Sequence, residues 1–366
     1  METISARLRQ LIEASPQRML QGEIAERVGM TAVALSLAIN GKRHLSSLEL
    51  VNLAELLGVS TYWLITGEND PFEPRIAARH GYDSDAHGYV HEPAPEESEL
   101  LANIVTAYRQ AFPQPVPVPA GPGPSASKLS AELGAGFAVD FASRVEERLG
   151  VGIVRVPGVD KAYSLRIGGR HCIVLGASPN WFFQNFSIAH ELGHINLGHF
   201  DDPDERATHE EEREASNFAA ELLLPAALMQ EHDWMNMSGV DLANFVWQTG
   251  VSTHTLRVRL SALKIRQSPD VELMLQSSTQ VLLRQQRAAD LFYSPRDIAA
   301  RMSAAATRRF PAVVEAAHLE AIGRGALAKD TLAWMLGVLP DALEVPTPQA
   351  RPSDLDSLAS ELGLRD

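Results

Sequence analysis

His190 and His194 stand four residues apart, with Glu191 directly after the first, in the run His190-Glu191-Leu192-Gly193-His194. On a helix, positions i and i+4 share one face. Both imidazoles can then offer nitrogens to a single metal ion, and Glu191 can reach a water held by that ion. Zinc lowers the pKa of such a water towards neutrality, and the carboxylate takes its proton during attack on a peptide carbonyl. The eight residues before His190, FFQNFSIA, supply an apolar helix side that can bury the site. The competing reading is a chance pairing of two unrelated histidines.

A third ligand decides the class. A metzincin needs H-E-x-x-H-x-x-G-x-x-H. The positions for its Gly and last His hold Leu197 and Phe200, with Gly198 and His199 each displaced by one, so that class fails. A carboxylate from a later helix is the other common solution. Residues 210–224 offer Glu210, Glu211, Glu212, Glu214 and Glu221, around a buried stripe of Ala215, Phe218, Ala219 and Leu222. Glu211 and Glu214 border that stripe, and spacing alone does not choose between them. Acids at a helix start also simply complement the helix dipole, which accounts for most of the cluster without any metal. Tyr163, His209 and His254 are candidates for stabilising charge on the carbonyl oxygen, although each fits a structural role better.

These residues need elements to position them. Apolar periodicity gives a helix over 129–149, strands over 151–156, 162–167 and 170–175, and helices over 181–198 and 210–224. Gly168-Gly169 is the expected hairpin turn, and Pro225 ends the last helix. An edge strand of this hairpin would suit an extended substrate, which can add to it by main-chain hydrogen bonds. Upstream, residues 112–127 (FPQPVPVPAGPGPSAS) are Pro-rich and read as an extended interdomain linker, after a short helical pattern over 98–111. His80, His87 and His91 lie in a Gly- and acid-rich stretch and match no familiar metal spacing. Residues 1–68 read as short helices joined by tight turns. Gln21 to Val28 forms one helix, Gly29-Met30 the turn, Thr31 the N-cap of the next, and Gly41 its end.

Two resemblances follow from these motifs. The pair FSIAHELGHINLGH and EREASNFAAELLLP resembles the ImmA/IrrE family of zinc metallopeptidases over about residues 138–225, more weakly to 264. That resemblance implies Glu214 as the third ligand beside His190 and His194, with Glu191 as general base. Ser216 stands where the family often has Asn or Asp, which puts support to a ligand in doubt. Residues 4–68, with LAELLGVS and YWLITGE, are similar to the XRE (Cro/repressor-like) helix-turn-helix family. It implies a second helix in the major groove, with Thr31, Ala32, Leu35 and Ser36 facing bases and Gln21, Lys42 and Arg43 near phosphates. Leu20 departs from the usual Ser or Thr, and the reading helix TAVALSLAIN has few side chains able to make bidentate base contacts. Six basic side chains against eight acidic ones in residues 1–70 make phosphate attraction weak, so a dimerisation or partner-docking module is the competing reading.

Composition bounds the rest. The 366 residues carry a net charge of −14, which argues against a general nucleic-acid coat but not against one small DNA-binding module. No apolar run approaches the roughly 18–20 residues of a membrane span, and the N-terminus has no apolar core of a signal peptide. One cysteine, Cys172, excludes an internal disulfide and a Cys-rich zinc site. We therefore expect a cytoplasmic, mainly α multidomain chain. Its parts are an all-α helix-turn-helix domain (1–68), a flexible segment with the Pro-rich linker (69–127), an α+β zincin-like peptidase domain with a small sheet (128–265), and a C-terminal helical region (266–366). The helix-turn-helix cadence at 242–263 is expected to pack on the peptidase core, and 266–366 to sense a ligand or form a subunit interface. The expected cofactor is one Zn2+ per chain, with Mn2+ compatible with the same ligand types. The expected partners are a protein substrate such as a transcriptional repressor, DNA, and a second copy of the chain, with no membrane. The alternative function is a non-catalytic regulator that uses the peptidase fold as a sensor.

Overall fold

The computed structural model describes residues 3–14, 20–76, 81–83, 88–90, 95–118, 123–200, 209–286 and 291–345. His80, His87 and His91 lie outside the described residues. The chain divides into two compact units, Met1–Glu73 and Pro74–Asp366.

The first unit contains α1 (Ile4–Ala14), α2 (Gln21–Arg27), α3 (Ala32–Ile39), α4 (Ser47–Leu56) and α5 (Thr61–Thr66). Side-chain oxygens of Thr31, Ser46 and Ser60 accept from backbone N–H groups in the first turns of α3, α4 and α5, so each short helix starts at a residue built to cap it. Leu8, Ile24, Leu35, Leu53 and Leu64, one from each helix, are wholly buried together. Buried Arg7 joins the first helix to the last: its Nε donates to the Leu64 carbonyl (3.0 Å) and its Nη2 to that of Ile65 (2.7 Å).

The second unit is built on a four-stranded sheet. Its strands are β1 (Arg75–Ile76), β4 (Gly152–Val156), β5 (Tyr163–Ile167) and β6 (Arg170–Gly176), in the order β1-β5-β6-β4. A separate two-stranded ribbon is formed by β2 (Gly81–Asp83) and β3 (Gly88–Val90). Strands β5 and β6 form the expected hairpin, with Ile167 opposite Arg170 and positive φ at Gly168 and Gly169. Strand β4 runs parallel to β6, and β1 covers part of the β5 edge.

The helices of this unit are α6 (Pro95–Ala111), α7 (Ala126–Leu133), α8 (Phe141–Leu149), α9 (Trp181–Leu197), α10 (His209–Leu223), α11 (Ala226–Gln230), α12 (Gly239–Thr249) and α13 (Thr253–Ala262). Five more follow: α14 (Pro269–Gln276), α15 (Thr279–Gln285), α16 (Pro295–Ala306), α17 (Ala312–Gly323) and α18 (Asp330–Leu336).

The alternation of strand side chains assigns the two sheet faces. Ser164 meets α9, whereas Tyr163 reaches Glu97 of α6, and Cys172 lies beside Tyr108 of α6. Burial pushes the Cys172 thiol up to about 12, as suits a small apolar filler. Residues 95–111, within the stretch read as a flexible segment, thus form a packed layer with Leu101, Ile104 and Tyr108 buried. The Pro-rich stretch is also engaged: Val116 N–H donates to the Gly168 carbonyl and Gly123 N–H to that of Asn196. Helices α12 and α13 contribute Phe245, Trp247, Leu256 and Leu260 to the core around α9. Val271, Leu283, Ile298 and Ala305, from beyond residue 265, belong to that same core. Among the described residues, no helix is long and apolar enough to cross a membrane.

Replacing Arg7 by Ala leaves the two carbonyls of α5 without their charged donor. We expect a loss of about 2 kcal/mol in the first unit, read as roughly thirtyfold faster amide exchange in α5 with no change in α9.

Candidate metal centre

Helix α9 starts at Asn180, whose side-chain oxygen accepts from Phe183 N–H, and ends at left-handed Gly198. Helix α10 packs along it. The two backbones meet at Gly193: a Cβ there would lie 2.9 Å from Ala215 Cα and 3.0 Å from its carbonyl oxygen. This approach carries Glu212, one turn before Ala215, to the face of α9 that holds both histidines.

His190 Nε2 and His194 Nε2 lie 3.1 Å apart. The Glu212 carboxylate bridges them, with Oε2 3.2 Å from His190 Nε2 and Oε1 3.2 Å from His194 Nε2. Tetrahedral zinc with bonds of about 2.0–2.1 Å places its ligand atoms about 3.3 Å apart, so this triangle of two imidazoles and one carboxylate fits such an ion. These three residues are the group among the described residues that could hold a metal. Burial disfavours the Glu212 charge, but hydrogen bonds from both histidines outweigh it and hold the carboxyl well below its usual range. Burial likewise opposes a charged His190, yet the Glu212 hydrogen bond and the charges of Glu191 and Glu212 raise its pKa.

The remaining ring nitrogens have partners. His190 Nδ1 is 3.3 Å from Ser216 Oγ, and His194 Nδ1 is 2.8 Å from His199 Nδ1. His199 Nε2 in turn lies 3.5 Å from Glu214. When His194 offers its Nε2 lone pair, its Nδ1–H donates to His199, whose own Nε2–H faces Glu214. Burial and the neighbouring His194 lower the His199 pKa, which suits a neutral acceptor. Glu191 is buried, and Ser164 Oγ donates to its Oε2 at 2.5 Å.

The structure differs from the expectation of Glu214 as third ligand: Glu212 stands beside the histidine pair, and Glu214 lies behind it on His199. Two residues along a helix are about 200° around its axis, so the two carboxylates cannot share a flank, whereas Glu212 and Ser216 do. The roles of His199 and Ser164 were missed, because neither a five-residue spacing nor a lone strand serine carries a metal-site signal. Tyr163 is placed on the α6 face of the sheet, its hydroxyl donating to Glu97 (2.9 Å), away from α9. His254 sits on α13 beside Arg257, and His209 begins α10 one turn before Glu212.

In the first unit, Gln21, Thr31, Ala32, Lys42 and Arg43 are exposed and Ser36 is half-buried. Leu35 is a correction: it is wholly buried in the five-helix core and cannot face a base. The outward face of α3 presents Val33 and Leu37 instead. Thr31 Oγ accepts from Ala34 N–H, and Arg43 is held by both carboxylate oxygens of Glu49 (2.9 and 3.2 Å).

Residues 146–261 match the family model described as the IrrE N-terminal-like domain, and residues 8–64 match that described as Helix-turn-helix. Comparison with curated proteins and with solved structures found no match. Over these two segments the chain is thus similar to an XRE-type helix-turn-helix and to an IrrE-like, metallopeptidase-like domain, the pairing that the motifs imply.

A methyl group at Gly193 must push α10 away. Gly193→Ala is expected to cost about 1–3 kcal/mol in thermal unfolding. It should also weaken zinc affinity roughly tenfold in chelator competition, because Glu212 moves with α10.

Proposed function

We propose that this chain, a helix-turn-helix unit joined to an IrrE-like domain, is a cytoplasmic zinc metalloendopeptidase that cleaves a regulatory protein such as a transcriptional repressor. The carrying observation is the triangle of His190, His194 and Glu212 with buried Glu191 alongside. These three residues would hold one Zn2+ or Mn2+, which supplies Lewis acidity, acidifying water and polarising a peptide carbonyl. Glu191 takes the proton of the attacking water on its carboxylate and delivers it to the leaving amine. The Ser164 hydroxyl fixes the orientation of that carboxylate. Ser216 and the His199–Glu214 pair hold the two imidazoles in the tautomers that present Nε2.

In this reading α3 enters the major groove with Thr31, Ala32 and Ser36 towards bases. Gln21 and Lys42 approach phosphates, and a homodimer doubles these contacts. Arg43 joins them on leaving Glu49. The helix-turn-helix match also favours a second reading, a non-catalytic regulator whose peptidase fold acts as a sensor.

Two experiments test the proposal. Purified protein should carry one zinc per chain by metal analysis; Glu212→Ala should abolish it, and Glu214→Ala should retain it with affinity lowered roughly tenfold to a hundredfold. Retention in Glu212→Ala with loss in Glu214→Ala would restore the motif-based ligand. Glu191→Gln should keep the metal and slow cleavage of a verified substrate by about 10²–10⁴-fold. Unchanged gene regulation by that variant would favour the sensor reading.

A further inference from the structure

A second cavity of about 370 Å3 lies in the Pro74–Asp366 unit, lined by α8 and α9, strand β4 and residues 301–309 at the end of α16. Four arginines line it, Arg155, Arg301, Arg308 and Arg309, with Asp140 as the acid in its wall. This clustering occurs in a chain with a net charge of −14, so it does not reflect a general excess of base.

Two of the four arginines are committed elsewhere. Arg309 is bound by both carboxylate oxygens of Glu146 (2.5 and 2.6 Å), and Arg308 donates to the Trp334 carbonyl. The other two form no ion pair among the described residues. Arg155 donates through Nη1 to the Ala304 carbonyl, and Arg301 through Nη1 to that of Trp247 while stacking on the Trp247 ring at 3.7 Å. Among the described residues, Arg155 Nε, Arg301 Nη2 and Trp181 Nε1, all buried donors of residues in this one wall, have no hydrogen-bond partner. Arg155 and Arg301 thus line the cavity with their positive charge unpaired by any carboxylate among the described residues, and such charge calls for an anionic partner. Burial lowers the pKa of Arg155 and of Arg301 to about 10, with Arg309 adding repulsion at Arg155, while the charges of Glu146 and Asp140 at Arg155 and of Asp297 and Asp140 at Arg301 act the other way. Ala142 and Ser143, in the first turn of α8, also line the cavity, and the N-cap Asp140 makes no side-chain hydrogen bond to that turn. The positive end of this helix therefore adds to the same field.

We propose that this cavity is a binding site for a small anionic ligand carrying a phosphate or carboxylate group, held by Arg155, Arg301 and Trp181 against the N-terminus of α8. Its volume is in the range of small-molecule sites. Its wall includes Trp181, Gln184 and Ile188 of α9, the helix that carries the metal-site histidines, so an occupant touches the same rigid element. The proposal does not depend on peptidase activity.

The test uses the full-length protein at constant ionic strength, titrated with inorganic phosphate and separately with succinate, and followed by calorimetry and by tryptophan fluorescence from Trp181 and Trp247. Saturable binding of either probe is expected, phosphate alone marking a phosphate ligand and succinate alone a carboxylate ligand. Arg155→Gln and Arg301→Gln should each weaken it about tenfold or more. Asp140→Asn, at an exposed position, should tighten it about threefold by removing the acid in the wall. Absence of saturable binding of both probes overturns the proposal, as does unchanged affinity in the arginine variants. Should those variants fail to fold, unchanged affinity in Asp140→Asn overturns it equally.

Discussion

The close approach of α9 and α10 at Gly193 is the constraint on which the candidate metal centre depends. An imidazole pair four residues apart is a property of one helix, but a third donor must arrive from another. The distance between Gly193 and Ala215 leaves no room for a Cβ, and so fixes how near α10 can lie. At that distance Glu212 spans both Nε2 atoms, and Ser216, one turn on, reaches the back of His190. Small residues at this contact, rather than any polar bond, set the geometry of the polar site.

The sheet supplies the other side of the site. Period-two alternation along β5 sends Ser164 to α9 and Tyr163 to α6. The single hydroxyl that reaches Glu191 therefore depends on strand register, and a slip by one residue would replace it with an apolar or aromatic side chain. The register is held from both sides: β6 pairs with β5 along its length, and α6 packs beneath through Tyr163, Glu97 and Tyr108. Asn185 ties α9 to the rest by donating to the carbonyls of Ala138 and Gly250, so the helix that carries the histidines is fixed in its second turn as well as at its caps.

Charge is distributed with the same economy. The metal triangle gathers anionic and neutral donors, and its carboxylate stays ionised because two imidazoles face it. The arginine-lined cavity gathers the opposite sign on another side of α9, where Arg155 and Arg301 have no ion-pair partner among the described residues. One helix thus separates an electron-donating site from an electron-accepting one, and residues beyond 265 build the second by closing over the edge of β4 at Arg309.

The sequence by itself determined what depends on local spacing. His190, His194 and Glu191 follow from the helical repeat, the β5–β6 hairpin from Gly168-Gly169, and the short helices of the first unit from their Thr and Ser caps. What it left open was the choice between Glu211 and Glu214, and it did not single out Glu212, since neighbouring acids of one type differ only in azimuth. The tertiary structure placed Glu212 beside both histidines, because the rotation of α10 about its axis is set by packing of Ala215 on Gly193. It also turned Leu35 inward, where the core formed by all five helices needs an apolar side chain, and placed His199 and Glu214 behind His194. The layer formed by α6 and the convergence of four arginines arise from contacts distant in sequence, which no local period encodes.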